Sequence, residues 1–180
     1  WFAQPLSFLA SVQRLDRIIG RNICDLSAFG SAGQHAGQMG LTADEFHAQG
    51  HGAVSDHRGI FEVALRPLCR ALGLAVLSTK VTNEPVLAEA DMPVARLGRT
   101  IRKGTTCGMM ERVVFELQGG VVAEGQFIMR FLPEGEGAFN EGVVEGLPGM
   151  NMRTDNFHGD VITCASLVNR VRDVMDAEPG

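Results

Sequence analysis

The feature that most constrains the fold is a long stretch, residues 74–132, whose sequence pattern is that of consecutive β-strands. Short apolar and β-branched runs recur there between polar and turn residues, a pattern typical of strands. Gly119-Gly120 separates VVFELQ from VVAEGQFIMRFL, and a glycine pair between two such runs indicates a tight hairpin. We therefore expect an antiparallel sheet. Its expected strands are 75–83, 85–95, 97–107, 110–118 and 121–132.

Three helices are predicted outside this stretch, because apolar residues recur there at helical spacing. They cover residues 6–26, 56–72 and 160–175. The second is apolar over most of its circumference, as expected of a buried helix. Pro67 should kink or interrupt it, and Gly73 should end it.

This order of elements predicts an α+β fold in which an antiparallel sheet wraps around one buried helix. The Gly-rich residues 29–40 and the acidic, Gly-rich residues 133–150 are expected to be loops. We divide the chain into an N-terminal helical extension (1–35), the central domain (36–135), and an acidic loop with a C-terminal helix (136–180).

Composition narrows the class of function. The chain has 180 residues, a formal net charge of -5 and 45% apolar residues, so it should fold as a globular domain and gives no electrostatic reason to expect nucleic acid. No apolar run is long enough to span a membrane, and the start lacks the basic region of a signal peptide. The four cysteines form no CxxC pair, so we expect reduced core thiols and a cytoplasmic protein.

The densest group of chemically capable side chains lies in DEFHAQGHGAVSDHRGIFE, residues 44–62. It contains three of the five histidines and four carboxylates, and it leads into the predicted buried helix. A helix N-terminus offers free N–H groups that can stabilise an oxyanion, and a nearby carboxylate can act as base or nucleophile. The spacing of Glu45, His47, His51 and His57 fits no known tetrahedral metal site, so we expect no metal.

The order of several short motifs resembles the 4-hydroxybenzoyl-CoA thioesterase branch of the hotdog superfamily. EFHAQGH falls on that branch's D-x-D-x-x-G-H, and Phe61, Glu62 and Ala64 fall on its F-E-x-A. Leu72-Gly73-Leu74 matches its helix end, DMPVARLGRTI resembles its Pro-Ala-x-x-Gly-Asp stretch, and LQGGVVAEGQFIMRFLP resembles its final hairpin. The resemblance covers roughly residues 40–133.

The resemblance implies a hotdog fold, a homodimer or homotetramer, and an acyl thioesterase acting on acyl-CoA or acyl-carrier-protein thioesters without a cofactor. The implied catalytic residues are Glu45, His47 and Glu62. The implied substrate-binding residues are His51, Ser55, Asp56, His57, Arg99 and Arg102. Glu45 would attack the thioester or activate water, and N–H groups near Ser55 to His57 would hold the oxyanion.

Two alternatives remain at this point. A hotdog hydratase or dehydratase needs a histidine and a carboxylate beside an acyl thioester, and His47 with Glu45 supplies both types. A non-catalytic module that binds acyl or aromatic ligands is favoured by the replaced motif positions, because Glu45 and His47 stand where the branch has aspartates.

Overall fold

A six-stranded mixed β-sheet forms the centre of the protein, as seen in a computed structural model. The structure describes residues 7, 9–29, 32, 37–49, 59–155 and 158–177. The strands are β1 (Arg14–Asp25), β2 (Val76–Leu87), β3 (Met92–Val94), β4 (Arg99–Ile101), β5 (Thr106–Leu117), β6 (Val122–Arg130), β7 (Phe139–Leu147) and β8 (Met150–Asp155). The α-helices are α1 (Ala43–Ala48), α2 (Ile60–Ala71), α3 (Gly159–Asn169) and α4 (Val171–Met175).

The strand order in the main sheet is β2-β5-β6-β1-β7-β8, and β3 and β4 form a separate small hairpin. β1 runs parallel to β6, with Arg17 opposite Val122, and antiparallel to β7. The other neighbours in the main sheet are antiparallel. The sheet draws strands from all three segments, 1–35, 36–135 and 136–180.

The helix predicted over residues 6–26 is wrong, because Arg14–Asp25 is the fourth strand of the sheet. Ile18 and Ile19 are both buried, although successive strand residues point to opposite faces of a sheet. Ile19 is buried although it shares its face of β1 with Arg17 and Arg21, so the apolar residues of this strand do not alternate. The isoleucines then recur at a spacing that imitates a helix, while their β-branched side chains favour a strand.

Helix α2 packs on one face of the sheet and is not surrounded by it. Phe61, Leu65, Leu68 and Cys69 are buried at helical spacing, whereas Val63 on the opposite side is 67% exposed. The expectation of a helix buried all round is therefore wrong. Pro67 lies inside the helix without ending it, and the chain turns away after Leu72 at Gly73, whose φ is 70°.

The stretch predicted as strands does consist mainly of strands, but several of the predicted strand boundaries are wrong. The Gly119-Gly120 hairpin is confirmed, and both glycines have positive φ, 82° and 79°. β2 is one strand where two were predicted, and the small β3–β4 hairpin occupies much of the stretch predicted as 85–95 and 97–107. The predicted loop 133–150 contains β7, since its glycines and acidic residues concealed the strand pattern.

Two apolar cores hold these elements together. The main core lies between α2 and the sheet, and its buried side chains include Phe61, Leu65, Leu68, Val113, Phe115 and Leu117. The second core joins the small hairpin to the end of the sheet through Leu26, Ala88, Val94, Ile101, Cys107 and Phe131.

The predicted fold class, a hotdog sheet wrapped around one helix, is contradicted by this architecture. The sheet is mixed, and α2 covers a single face of it. In the part of the chain that the structure describes, no helix has the length and apolar character needed to cross a membrane.

Candidate functional site

Glu45 and His47, two of the predicted catalytic residues, lie on the short exposed helix α1. Thr42 and Glu45 form a reciprocal capping box: Thr42 N donates to Glu45 Oε2 at 2.7 Å, and Glu45 N donates to Thr42 Oγ1 at 3.2 Å. The backbone hydrogen bond from Thr42, followed by its side-chain hydrogen bond, lowers the pKa of Glu45. His47 Nδ1 donates to the Ala43 carbonyl oxygen at 2.7 Å, and the His47 side chain is exposed.

Glu62, the third predicted catalytic residue, is buried on α2 and bonded to Arg66 one turn later. Arg66 Nε donates to Glu62 Oε1 at 3.1 Å. The Arg66 guanidinium also lies over the Phe115 ring, 5.2 Å from its centroid. The pair therefore connects α2 to the sheet, and its carboxylate is engaged by its own helix.

The predicted substrate-binding residues are divided between the small hairpin and residues outside the description. Arg102 donates to Asp91 Oδ2 at 2.7 Å, and Lys103 N donates to Asp91 Oδ1 at 2.9 Å. The Lys103 backbone hydrogen bond, with that from Arg102, lowers the pKa of Asp91. Arg99 is exposed on β4. His51, Ser55, Asp56 and His57 lie outside the described residues.

Both flanks of the segment 50–58 are anchored on the same strand, β5. On the α1 side, Thr106 N donates to the Leu41 carbonyl oxygen at 2.7 Å. On the α2 side, Ile60 N donates to Glu111 Oε1 at 2.6 Å. Thr106 and Glu111 are five positions apart, roughly 17 Å along a strand. Leu41 and Ile60, which precede and follow residues 50–58 in the sequence, are therefore both bonded to the first half of β5.

A charged cluster that the sequence analysis did not predict occupies the sheet face opposite α2. We define it by Arg17, Arg21, Arg112, Glu124, Gln126 and Glu141. Glu124 is at its centre and is 1% exposed. Arg112 Nε and Gln126 Nε2 each donate to Glu124 Oε1 at 2.7 Å, and Arg17 donates to Oε2.

The charged cluster continues towards the β8 edge through Arg21. Its Nε donates to Gln126 Oε1 at 3.1 Å, and its Nη1 donates to Glu141 Oε2 at 2.9 Å. Farther along this face, the Arg153 guanidinium lies 3.7 Å from the Phe139 ring centroid. The face is thus covered by paired charges from β5, β6, β1 and β7.

Glu124 remains a carboxylate throughout the neutral range. Burial alone would raise its pKa, but hydrogen bonds from Arg112, Gln126 and Arg17 outweigh burial and lower the pKa to about 2. Such a group does not take up protons near neutrality, so it is unsuited to general-base work. Its effect is to fix the positions of the guanidinium groups.

Alternation along the strands was the signal that could have revealed the charged cluster. Glu124 and Gln126 are two positions apart on β6, as are the positions of Arg17, Ile19 and Arg21 on β1. Because residues 6–26 were predicted as a helix, this alternation on β1 was not recognised. In the described residues, no three His, Cys, Asp or Glu side chains are arranged to hold a metal ion.

Comparison with known proteins gives a family that covers nearly the whole chain. Residues 6–180 match the family described as the 2,4-diaminopentanoate dehydrogenase C-terminal domain. The chain belongs to this family. A comparison with curated proteins gave no match.

A solved structure of amine dehydrogenase from Mycobacterium smegmatis is also similar to this chain. It is similar over 100% of this chain, with 27% sequence identity and a TM-score of 0.79. The chain covers 53% of that protein, so it spans about half the length of this relative.

These findings overturn the thioesterase interpretation. The family is one of dehydrogenases, which are oxidoreductases, so the hotdog resemblance and the thioester hydrolase activity are both wrong. The two alternatives, a hotdog dehydratase and an acyl or aromatic ligand-binding module, are equally unsupported. The predicted partners, acyl-CoA and acyl carrier protein, are therefore no longer expected. The same holds for the homodimer or homotetramer that the hotdog resemblance implied.

Proposed function

We propose that this chain is the C-terminal domain of a dehydrogenase that oxidises an amine. The family match over residues 6–180 carries the proposal, because it includes every described strand and helix. The likeness to an amine dehydrogenase across the whole chain supports the same substrate class.

A dehydrogenase of this kind implies a nicotinamide dinucleotide, and the described residues do not fit one. Dinucleotide-binding units place a strand, a glycine-rich turn and a helix in direct succession, with the pyrophosphate at the helix N-terminus. β1 is followed by the 3-10 helix Leu26–Phe29 and the Gly-rich segment, and α1, only six residues long, comes next. The parallel partner of β1 is β6, which lies far along the chain. We therefore assign dinucleotide binding to a part of the enzyme outside these residues.

The chemistry of amine oxidation indicates what this domain would contribute. An alkylammonium ion has a pKa near that of lysine, about 10.4, so a base must remove its proton before the carbon can be oxidised. Histidine is the side chain whose ordinary pKa suits proton transfer near neutrality, and a carboxylate attracts the cation.

We place this site in residues 44–62, the segment that contains Asp56 and His57 and that is bonded to β5 at Ile60. His47 is exposed on α1 and precedes Asp56 and His57 by about ten residues in the sequence. In this proposal Asp56 attracts the ammonium group and His57 accepts its proton. Glu45 and Glu62 position their helices, since each is bonded within its own element.

The test is amine oxidation by the full-length protein that carries this chain. We expect 2,4-diaminopentanoate or another primary amine to reduce NAD⁺ or NADP⁺, followed by the absorbance of the reduced nicotinamide. Asp56→Asn and His57→Gln should each lower kcat/KM about a hundredfold, the scale of a lost acid or base. The matched variant Asp16→Asn changes an exposed aspartate paired with Arg14 and should leave the rate unchanged. Failure to oxidise any amine with either cofactor would contradict the proposal.

A further inference from the structure

The sheet face beneath α2 changes from apolar to polar at the first turn of that helix. Gly125, Gly20 and Gly142 lie side by side on β6, β1 and β7, and Phe61 packs over the first two. Because successive strand residues alternate between faces, the next row on this face lies two positions away along each strand. From β2 to β8 that row, here called the polar row, carries Asn83, Glu111, Phe127, Asn22, Asn140 and Thr154.

Two buried amides form the middle of the polar row. Asn22 is 2% exposed and Asn140 is 9% exposed. Burying an amide costs free energy unless it is hydrogen-bonded, and here Asn22 Nδ2 donates to Asn140 Oδ1 at 2.9 Å. The β2 half of the row, with Asn83, Glu111 and Phe127, is only half-buried. A polar molecule can therefore approach the row from this half.

The Glu111 carboxylate lies at the start of α2. Its Oε1 accepts a hydrogen bond from Ile60 N at 2.6 Å. Gly59 precedes Ile60, and a Cβ at Gly59 would lie 2.9 Å from Glu111 Oε1 and 2.7 Å from Val113 Cγ2. The carboxylate thus reaches the helix start because position 59 has no side chain, and the helix dipole attracts it there.

Glu111 differs from the other glutamates that the folded chain removes from water. Glu62, Glu124 and Glu141 are each bonded to an arginine. Among the residues that the structure describes, no arginine or lysine pairs with Glu111, and no hydrogen bond is donated to its Oε2. A carboxylate that is partly removed from water is stabilised by a cationic donor. Glu111 therefore offers one carboxylate oxygen to a cation from outside the described chain.

We propose that Glu111 binds an ammonium group of the substrate other than the one that is oxidised. The substrate class is then an amine with a second ammonium group. This inference rests on the proposed function, which assigns the reacting amine to Asp56 and His57. Ile60, which Glu111 holds, follows His57 by three residues in the sequence. The amide and the aromatic ring on either side of Glu111 in the polar row are both groups that can contact an ammonium ion.

The test compares two substrates that differ by one ammonium group, 2,4-diaminopentane and 2-aminopentane, with the full-length protein that carries this chain. Glu111→Gln retains an oxygen that can accept from Ile60 N and removes the charge. The ratio of kcat/KM for the diamine to that for the monoamine should fall about tenfold or more, the scale of one charge-assisted hydrogen bond. Glu116→Gln changes an exposed glutamate on the opposite face of the same strand and should leave the ratio unchanged.

An unchanged ratio in Glu111→Gln would overturn the inference, because Glu111 would then serve only as a cap for α2. Urea unfolding of the same variant checks that the fold is retained. If no amine is oxidised, calorimetric binding of 2,4-diaminopentane separates the two proposals. Binding that weakens about tenfold in Glu111→Gln would support the ammonium site although the proposed function fails. No binding to the parent protein would overturn the ammonium site as well.

Discussion

The two faces of the sheet are stabilised by different means. On the face covered by α2, glycines in the sheet make room for one aromatic ring: a Cβ on Gly125 would lie 2.5 Å from Phe61, and one on Gly20 would lie 3.0 Å from it. On the opposite face, Glu124 is equally buried but is surrounded by guanidinium groups. The face covered by α2, here called the covered face, is therefore stabilised by close packing. The opposite face, here called the free face, is stabilised by pairs of opposite charges.

This difference determines what each face can accept. In a close-packed apolar surface, a substitution that creates a cavity lowers the free energy of unfolding. A charged surface loses free energy when a buried charge loses its partner, although the partners themselves remain partly in water. The part of the covered face beneath α2 is complete, and the free face remains open to solvent and to polar molecules.

The largest expected effect is on the covered face. Phe61→Ala should reduce the free energy of unfolding by about 3–5 kcal/mol, because Phe61 is 2% exposed and the cavity cannot collapse onto glycine backbone. Val63→Ala, on the outer side of the same helix, should change it by less than about 0.5 kcal/mol. Urea unfolding measures both, and equal losses would show that α2 is not held by this ring.

A smaller loss is expected at the centre of the free face. Glu124→Gln should cost roughly 2–3 kcal/mol, below the usual range for breaking a buried pair, since Arg17 and Arg112 are 36% and 40% exposed. Glu116→Gln, at an exposed position on the same face of β5, provides the comparison in the same urea experiment. A neutral Glu124→Gln would mean that the charged cluster adds nothing to stability.

Acid should weaken the free face selectively. The pKa of Glu124 is lowered from 4.5 to about 2 in the folded protein, so the unfolded chain takes up this proton first. The stability from this carboxylate is present above pH 4.5 and is lost as pH falls towards 2. The stability difference between the parent protein and Glu124→Gln should therefore shrink over this window, whereas the effect of Phe61→Ala should persist. A difference that stays constant down to pH 3 would contradict the assigned pKa.

The smallest effect is expected towards the β8 edge of the charged cluster. Arg21 and Glu141 have side chains 39% and 11% exposed. A double-mutant cycle with Arg21→Ala and Glu141→Ala should give a coupling energy of about 0.5 kcal/mol, reduced by salt. A coupling energy as large as the whole Glu124→Gln effect would mean that the Arg21–Glu141 pair between β1 and β7 stabilises the cluster as much as Glu124 does.

Local patterns predicted α2 and the β5–β6 hairpin better than they predicted β1 and β7. The glycine pair at 119 and 120 and the helical spacing of Phe61, Leu65 and Leu68 depend on nearby residues, so one sequence sufficed. β1 is a strand because of partners far along the chain, and no hairpin turn marks it. β7 pairs with β8 across the short turn Pro148-Gly149, but the glycine-rich, acidic sequence of residues 133–150 predicted a loop there. The charged cluster depends on those strands and was missed with them.

The predicted site illustrates a different difficulty. The motif Phe61-Glu62 with Ala64 is also explained by an amphipathic helix on a sheet, since Phe61 packs against the sheet and Glu62 is paired with Arg66 one turn later. Short motifs of this kind indicate local packing as readily as ancestry. Glu45 resembled a catalytic carboxylate, although its spacing from Thr42 also fits a capping box.

The central position of β1 has a consequence for how this chain folds during synthesis. Arg21 is bonded to Gln126, 105 residues later, and both sheet neighbours of β1 are equally remote. A ribosome adds about 5–20 residues per second, so β1 waits about 5–20 s for its first neighbour. During that interval Ile18, Ile19 and Ile23 are uncovered on a strand with two unpaired edges. The nascent chain is therefore a natural client for chaperones, and slower translation before β6 should increase aggregation.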